Sequence, residues 1–368
     1  MQNVDHTRQP LRGPAVPLSG YVERSVLLIG NFLSISSGSR GVCEDLALHL
    51  EAAGWAVLTT SNKSGRMPRL LDMVRTAWQR RTDYEVAHVD VYSGPAFFWA
   101  EAVSWVLRQA GKPYVLTLHG GNLPAFARRW PGRVRRLLRS AHIVATPSRY
   151  LQEQMTPYRG DLLLLPNPLD LSQYPFHLRA TPAPRLIWLR AFHGIYNPVL
   201  AIEVLARLLA MYPEAHLTMV GPDKGDGSFE ATTQRAVGLG VADRVQFVGG
   251  VPKKKVPYWL NQGDIFINTT GIDNTPVSVM EAMACGLCVI STNVGGIPYL
   301  LAHDQDALLV PPDDVHSMAG AVGRVLEEPH LADRLSRRAR EKTEQWDWSA
   351  ILPQWEQLLL EVANEVSG

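Results

Sequence analysis

The sequence predicts an α/β protein built from two doubly wound parallel-sheet domains, and three observations carry that prediction. Short β-branched apolar runs alternate with longer segments of helical period along most of the chain, the rhythm of a parallel sheet covered by helices on both faces. The rhythm stops in a Pro- and Thr-rich stretch over 166–184 and then restarts. At 368 residues the chain is also longer than one hydrophobic core commonly organises. The expected bounds are a disordered tail over 1–20, a first domain over 21–168, a linker over 169–184, a second domain over 185–345 and a terminal segment over 346–368.

In the first domain, strands are predicted at Ser25–Ile29, Trp55–Thr59, Tyr84–His88, Pro113–Leu118, Ile143–Thr146 and Leu162–Leu165, with helices at Val42–Ala53 and Pro95–Gln109. The loop after the first strand is rich in Ser and Gly, but Gly30, Gly38 and Gly41 are spaced wrongly for a dinucleotide fingerprint. Thr59-Thr60 also replaces the acid expected after the second strand, which argues against a nicotinamide-dependent oxidoreductase. His119 ends a strand and is followed by Gly120-Gly121, which lets a ligand approach the backbone; a lone histidine there is equally a structural one. In the second domain, strands are predicted at Leu186–Leu189, Ala215–Val220 and Val245–Gly249, with helices at Pro198–Met211 and Pro252–Asn261.

The densest signal is Asp264 to Pro298, which reads as strand, polar loop, helix and strand. Thr275-Pro276 looks like a helix start, Thr as cap and Pro in the first turn. The N–H groups of Val277, Ser278 and Val279 are then free to meet a phosphate. Glu281 sits one turn into that helix and Asp273 on the loop before it, eight positions apart. A carboxylate on each side of a helix N-terminus suits ribose, diphosphate and hexose, with Asn274 between them. The same residues also read as a solvated helix acid and an Asp-Asn turn.

This stretch resembles the donor-site motif of the retaining, nucleotide-sugar-dependent glycosyltransferases of family 4, which have the GT-B fold. In that family two acids eight apart precede an A-M-A-C/S-G-x-P-V-I run and a G-G loop. Asp273 stands here for a usual Glu, Cys288 for a usual Pro and Tyr299 for a usual Glu. The resemblance implies two Rossmann-like domains facing a central cleft, with a last helix crossing back to the first domain. It implies that His119, Arg190, Asp273 and Glu281 are the catalytic set. The donor would contact Gly38, Gly41, Arg190, Asn274, Thr275, Pro276, Val277, Ser278 and Glu281. The chain departs from the family by lacking a Lys shortly after Arg190; His193, Lys224 and Lys253 are the alternatives. Transfer needs the leaving diphosphate neutralised, here without a metal or other cofactor.

Charge is uneven. Residues 1–183 hold 21 Lys and Arg against 13 Asp and Glu, while 184–368 hold 15 against 22. The positive half is concentrated in Arg66–Arg81 and Arg128–Arg139, where Arg alternates with Trp, Leu and Met at helical spacing. Arg66, Arg69, Arg75, Arg129, Arg133 and Arg136 are therefore expected to contact an acceptor or an anionic membrane surface; the alternative is a solvated face whose Arg stems cover apolar surface. Nucleic acid is not expected as a partner, since no binding module is present. Residues 1–20 lack the apolar core of a secretory signal, and no uncharged apolar run reaches the ~20 residues a membrane span requires. Three cysteines give no disulfide framework, and Cys285-Gly-Leu-Cys288 is assigned to packing. The expected setting is the cytoplasm, at the inner face of the membrane. The expected partners are a nucleotide sugar and a glycan or lipid-linked acceptor. A non-catalytic nucleotide-sugar binder and a nucleotide-sugar epimerase are the alternatives.

Overall fold

A computed structural model describes residues 24–33, 41–63 and 65–365; the predicted tail over 1–20 and Gly38 lie outside the described residues. The first domain contains β1 (Ser25–Ile29), α1 (Val42–Ala52), β2 (Ala56–Thr60), α2 (Arg66–Gln79), β3 (Val86–Val91), α3 (Pro95–Gln109), β4 (Tyr114–Leu118), α4 (Leu123–Arg129), α5 (Pro131–Ser140), β5 (Ile143–Thr146), α6 (Arg149–Met155) and β6 (Leu163–Leu164). Its six strands are parallel in the order β2-β1-β3-β4-β5-β6. Strands β1 and β4 are buried along their whole length, as continuous apolar runs covered on both faces must be. One face packs α2 to α6 through Met73, Phe97, Val103, Leu123 and Leu138. The other packs α1 through Leu46 and Leu50.

The second domain contains β7 (Arg185–Leu189), α7 (Pro198–Leu208), β8 (His216–Val220), α8 (Ser228–Gly238), β9 (Val245–Gly249), α9 (Val256–Leu260), β10 (Ile265–Asn268), α10 (Val277–Ala284), β11 (Cys288–Thr292), α11 (Ile297–Leu300), β12 (Leu308–Val310), α12 (Val315–Glu327) and α13 (Leu331–Thr343). Its order is β12-β11-β10-β7-β8-β9. The strand order reverses between β7 and β10, and in the first sheet between β1 and β3; such switch points are where open α/β sheets hold ligands.

Helix α14 (Trp348–Asn364) leaves the second domain and returns to the first. It buries Trp348, Ile351, Trp355, Leu358 and Val362 against β1 and α1. Its start is fixed by Asp347, whose side chain accepts from the Ser349 N–H. The outgoing linker crosses beside it, with the Leu169 N–H donating to the Trp346 carbonyl at 2.7 Å. The two crossings are therefore stitched into one hinge.

Four differences from the sequence expectation bear on the site and on the basic segments. Helix α10 begins at Val277 with Pro276 as an extended cap residue, so Thr275 is not the cap. The basic run 128–139 is two helices broken at Trp130, because Pro131 can begin a helix but has no N–H with which to continue one. The predicted helix over 252–261 is a three-ten turn, Lys253–Lys255, followed by the single-turn α9. The third strand runs to Val91 rather than stopping at His88, because the buried face beside it accommodates His88 and Asp90.

Candidate active site

At the switch point of the second sheet, Arg190 follows β7 and the loop 269–276 follows β10. The Arg190 guanidinium lies over the Tyr196 ring, 4.3 Å from its centroid, and forms an ion pair with Asp273. Burial lowers the Arg190 pKa from its ordinary value, with Tyr196 and Glu281 opposing. Asp273 also accepts from the Asn274 N–H at 2.8 Å. The loop lies on Gly295-Gly296, where the Gly296 N–H donates to the Asp273 carbonyl at 2.9 Å. Gly295 has φ +53°, and a Cβ on Gly296 would strike the Asn274 carbonyl. Glycine is required there by close approach.

Glu281 is 4% exposed. It accepts from the Tyr174 hydroxyl at 2.6 Å and pairs with Lys253 Nζ at 2.6 Å. Burial and the adjacent Glu281 carboxylate raise the Tyr174 phenol, so it stays protonated and donates. At the start of α10 the Val279 and Met280 N–H groups turn back to the Pro276 carbonyl. The Thr275 and Ser278 hydroxyls are buried without a hydrogen-bond partner.

The first domain contributes the turn after β4. His119 Nε2 is bonded to Asp90 Oδ1 at 2.9 Å, and its ring stacks on Tyr92 at 5.0 Å. Gly121 presses on the Asp273 backbone, since a Cβ there would lie 3.3 Å from the Asp273 carbonyl carbon. Ser148, which caps α6, also bonds the Asn274 side chain across the cleft. Burial opposes ionisation of Asp90, but His119, His88 and the Cys43 thiol together hold it below the usual carboxylate range. The Cys43 thiol is pushed up by burial and then by Asp90. Cys43, His88 and Asp90 place donor atoms within 4.8 Å of one another, the grouping among the described residues with the geometry to hold a metal ion. Of these, Asp90 Oδ1 is bonded to His119 and His88 Nε2 to Thr117, while His88 Nδ1 is buried without a partner.

Burial also pushes the His88 imidazole down to about 4 from its ordinary 6.5. The unfolded chain therefore takes up a proton at His88 before the folded one does. The resulting stability is fully present above pH 6.5 and is lost as pH falls toward 4, to a total of about 3 kcal/mol. Melting temperature is expected to fall from pH 6.5 to 5, where most carboxylates remain ionised, with a shallower slope in His88→Gln. Equal slopes in the two proteins would remove His88 as the cause.

A cavity of about 730 Å³ opens between the domains, lined by Gly41, His49, Tyr174, Pro252, Lys253, Val277 and Trp348 among others. Of the predicted donor residues, Gly41 and Val277 line it directly. Glu281 forms its wall through Tyr174 and Lys253. The Arg190–Asp273 pair and the His119 turn, which meet through Gly121, are not part of its lining.

Comparison with known proteins decides the class. A model of the family described as Glycosyltransferase Family 4 matches residues 49–173, and one described as Glycosyl transferases group 1 matches residues 177–342. One covers most of the first domain and the other most of the second.

The chain belongs to glycosyltransferase family 4.

The glycosyltransferase is 24% identical over 335 residues to a D-inositol 3-phosphate glycosyltransferase of Streptomyces avermitilis, covering 82% of this chain and 71% of that one. It is 24% identical over 302 residues to a phosphatidyl-myo-inositol mannosyltransferase of Mycolicibacterium smegmatis, covering 79% and 74%. A D-inositol 3-phosphate glycosyltransferase of Mycobacteroides abscessus is 31% identical, but over only 44% of this chain and 36% of that relative. In fold the glycosyltransferase resembles sucrose-phosphate synthase from Thermosynechococcus elongatus, with a TM-score of 0.74, 21% identity and 92% and 98% of the two chains covered. It also resembles Anabaena HepE, with a TM-score of 0.72, 16% identity and 92% and 100% covered. The fold is GT-B.

Within the glycosyltransferase three expectations change. Arg190 and Asp273 are partners of each other rather than separate ligand groups. Among the cations considered in place of the family Lys, Lys253 reaches Glu281 while His193 faces Asp226. Arg69 is buried, bonded to Asn31 Oδ1 at 2.9 Å and stacked on Trp99, so it does not face outward. Its apolar stem follows Leu70 and Met73 inward, and Trp99 covers the head. Cys285 and Cys288 are buried in the core. Sequence reasoning missed Tyr174, Tyr196 and Asp90. No local pattern marks the two tyrosines; Asp90 is marked by its place two residues after His88 on one strand face.

Proposed function

We propose that the glycosyltransferase moves a sugar from a nucleoside-diphosphate sugar to a glycan, lipid-linked or small-molecule acceptor, with retention at the anomeric carbon and without a metal ion. The observation that carries this reading is a set of buried polar atoms with no hydrogen-bond partner, on the arginine paired with the loop 269–276, in that loop and at the start of α10: Arg190 Nε, Thr275 Oγ1 and Ser278 Oγ. Each such group costs about 1–3 kcal/mol when left unpaired. A diphosphate at the start of α10 would satisfy the donors, and sugar hydroxyls the acceptors. Anabaena HepE, of the same fold, was crystallised with UDP and glucose, and the pneumococcal O-GlcNAc transferase GtfA with UDP and GlcNAc.

In this reading the cavity beside Tyr174 and Lys253 takes the nucleoside, and Glu281 accepts from ribose hydroxyls. Arg190 exchanges Asp273 for the diphosphate, which frees Asp273 to hold the transferred sugar. The anomeric C–O bond breaks with its electrons to the diphosphate, the acceptor oxygen bonds the same face, and the acceptor proton passes to the diphosphate. In the unliganded protein each acid is paired with a cation, Asp273 with Arg190 and Glu281 with Lys253. The same two ion pairs also favour a second reading, a nucleotide-sugar binder without turnover.

The test is a panel of nucleotide sugars scored by protection against thermal unfolding and by release of nucleoside diphosphate. Protection with release, undiminished by EDTA, is expected. Protection without release would establish the binder, and no protection by any donor would overturn both.

A further inference from the structure

Helices α2, α3 and α5 lie side by side on one face of the first sheet, α2 against α3 and α3 against α5. Their inner sides are ordinary core. Their outer sides are not ordinary surface. On α2 the outward stripe is Met67, Leu71, Arg75 and Trp78, spaced four, four and three apart, while Leu70, Met73 and Ala77 face inward. This helix is apolar on both sides. On α3 the outward stripe is Phe98 and Trp105, two turns apart. Met67 and Leu71 are each 63% exposed, Trp105 57%, Phe98 53%, Trp78 45% and Trp130 43%. If Arg stems merely covered apolar surface, these side chains would be hidden. Arg81 does stack on Trp78, and Arg129 and Arg133 lie over Trp130, yet the rings stay open to solvent.

The rim of this apolar stripe is cationic. Residues 65–140 hold thirteen Lys and Arg against five Asp and Glu. Arg133 is paired with Glu101. Arg66, Arg128, Arg135, Arg136 and Arg139 have no acidic partner among the described residues and stand on the outer side. Trp, Leu and Met flanked by arginine are what a lipid interface selects: aliphatic groups reach the acyl boundary, Trp sits at headgroup level, and Arg meets anionic headgroups. A second copy of this face would bring two cationic surfaces together, which opposes self-association. No described helix is long and apolar enough to cross a membrane, so contact through this face is contact in the plane of the interface.

We infer that the outer face of α2, α3 and α5 is a docking surface for an anionic lipid bilayer. It deepens the proposed function by placing the acceptor-side domain on a membrane, but binding itself needs no turnover. This allows the two to be tested apart.

The experiment is flotation of the whole protein with vesicles of phosphatidylcholine alone and of phosphatidylcholine with phosphatidylglycerol, with no nucleotide present. Binding to the anionic vesicles only is expected, weakening as salt rises from about 0.1 M to about 1 M and the screening length falls from about 10 to about 3 Å. Each charge near such a surface contributes about fivefold, so Arg135→Glu with Arg136→Glu should cut binding by at least about thirtyfold. Leu71→Ser with Trp105→Ser should abolish the salt-resistant remainder. Melting temperature should hold in both variants, because all four side chains are exposed. No flotation, equal flotation with neutral vesicles, or variants that bind like the parent would each overturn the inference. So would a dimer, seen by sedimentation, that forms through Leu71 and Trp105 in place of vesicle binding. A protein that floats but releases no nucleoside diphosphate would refute the proposed reaction and leave this surface standing.

Discussion

Replacing Arg190 by Ala should lower turnover with a nucleoside-diphosphate sugar by about 10²–10³-fold, the usual cost of losing one preorganised charge from a developing anion. The guanidinium is held in place before any ligand arrives, stacked on Tyr196 and paired with Asp273. It therefore needs little reorganisation when the diphosphate leaves. The same substitution strands Asp273, whose side chain is 15% exposed. An uncompensated charge at that depth costs about 3 kcal/mol, so the melting temperature should fall as well. The two effects separate in the double variant. Asp273→Asn in the Arg190→Ala background should restore most of the lost stability, because an amide needs no counter-charge, and none of the lost turnover. Full turnover in Arg190→Ala would end the assignment of this arginine to the leaving group.

Gly296→Ala should be nearly as damaging although it touches no ligand. Its φ of −84° suits any residue, so the penalty lies in space alone. A Cβ there would meet the Asn274 carbonyl carbon at 2.8 Å and the Asn274 Cα at 3.0 Å, and backbone cannot step aside as a flexible side chain can. The loop carrying Asp273 and Asn274 must lift, which moves one acid of the site and breaks the bond to Ser148 across the cleft. Overpacking of this kind costs about 1–3 kcal/mol, and a displacement near 1 Å at a reacting centre costs about 10²-fold in rate. Gly320→Ala is the matched control. Gly320 lies inside α12 with nothing within 4 Å of its would-be Cβ. That change should stabilise the protein by about 0.5–1 kcal/mol and leave turnover unaltered. Thermal melting and a steady-state assay on the three proteins decide the matter; an active, normally stable Gly296→Ala would show that the loop tolerates the shift.

Much of the architecture was legible because parallel strands buried on both faces must be continuous apolar runs. Leu186–Leu189 and Cys288–Ser291 stand out for that reason. Boundaries were less legible where a polar residue lies inside a strand. His88 and Asp90 read as the end of β3, yet they are interior, because Thr117 and His119 on the neighbouring strand and turn satisfy them. In the site, the loop-and-helix motif around Asp273 and Glu281 could be found from spacing, since residues eight apart across one helix start are local.

What could not be found is who holds those acids. Tyr174 is 107 residues from Glu281, Lys253 comes from the turn after another strand, and Arg190 lies far upstream of Asp273. Those partners are chosen by strand order, and no local pattern encodes it. The same holds for the outer face of α2, α3 and α5. Sequence alone determined that two Arg-rich amphipathic segments exist, because helical period is written in residue spacing. Only the tertiary structure decided that Met67, Leu71, Phe98 and Trp105 remain uncovered: whether a side chain is buried depends on what packs over it, and in a parallel sheet that is set by crossovers between segments distant in the chain.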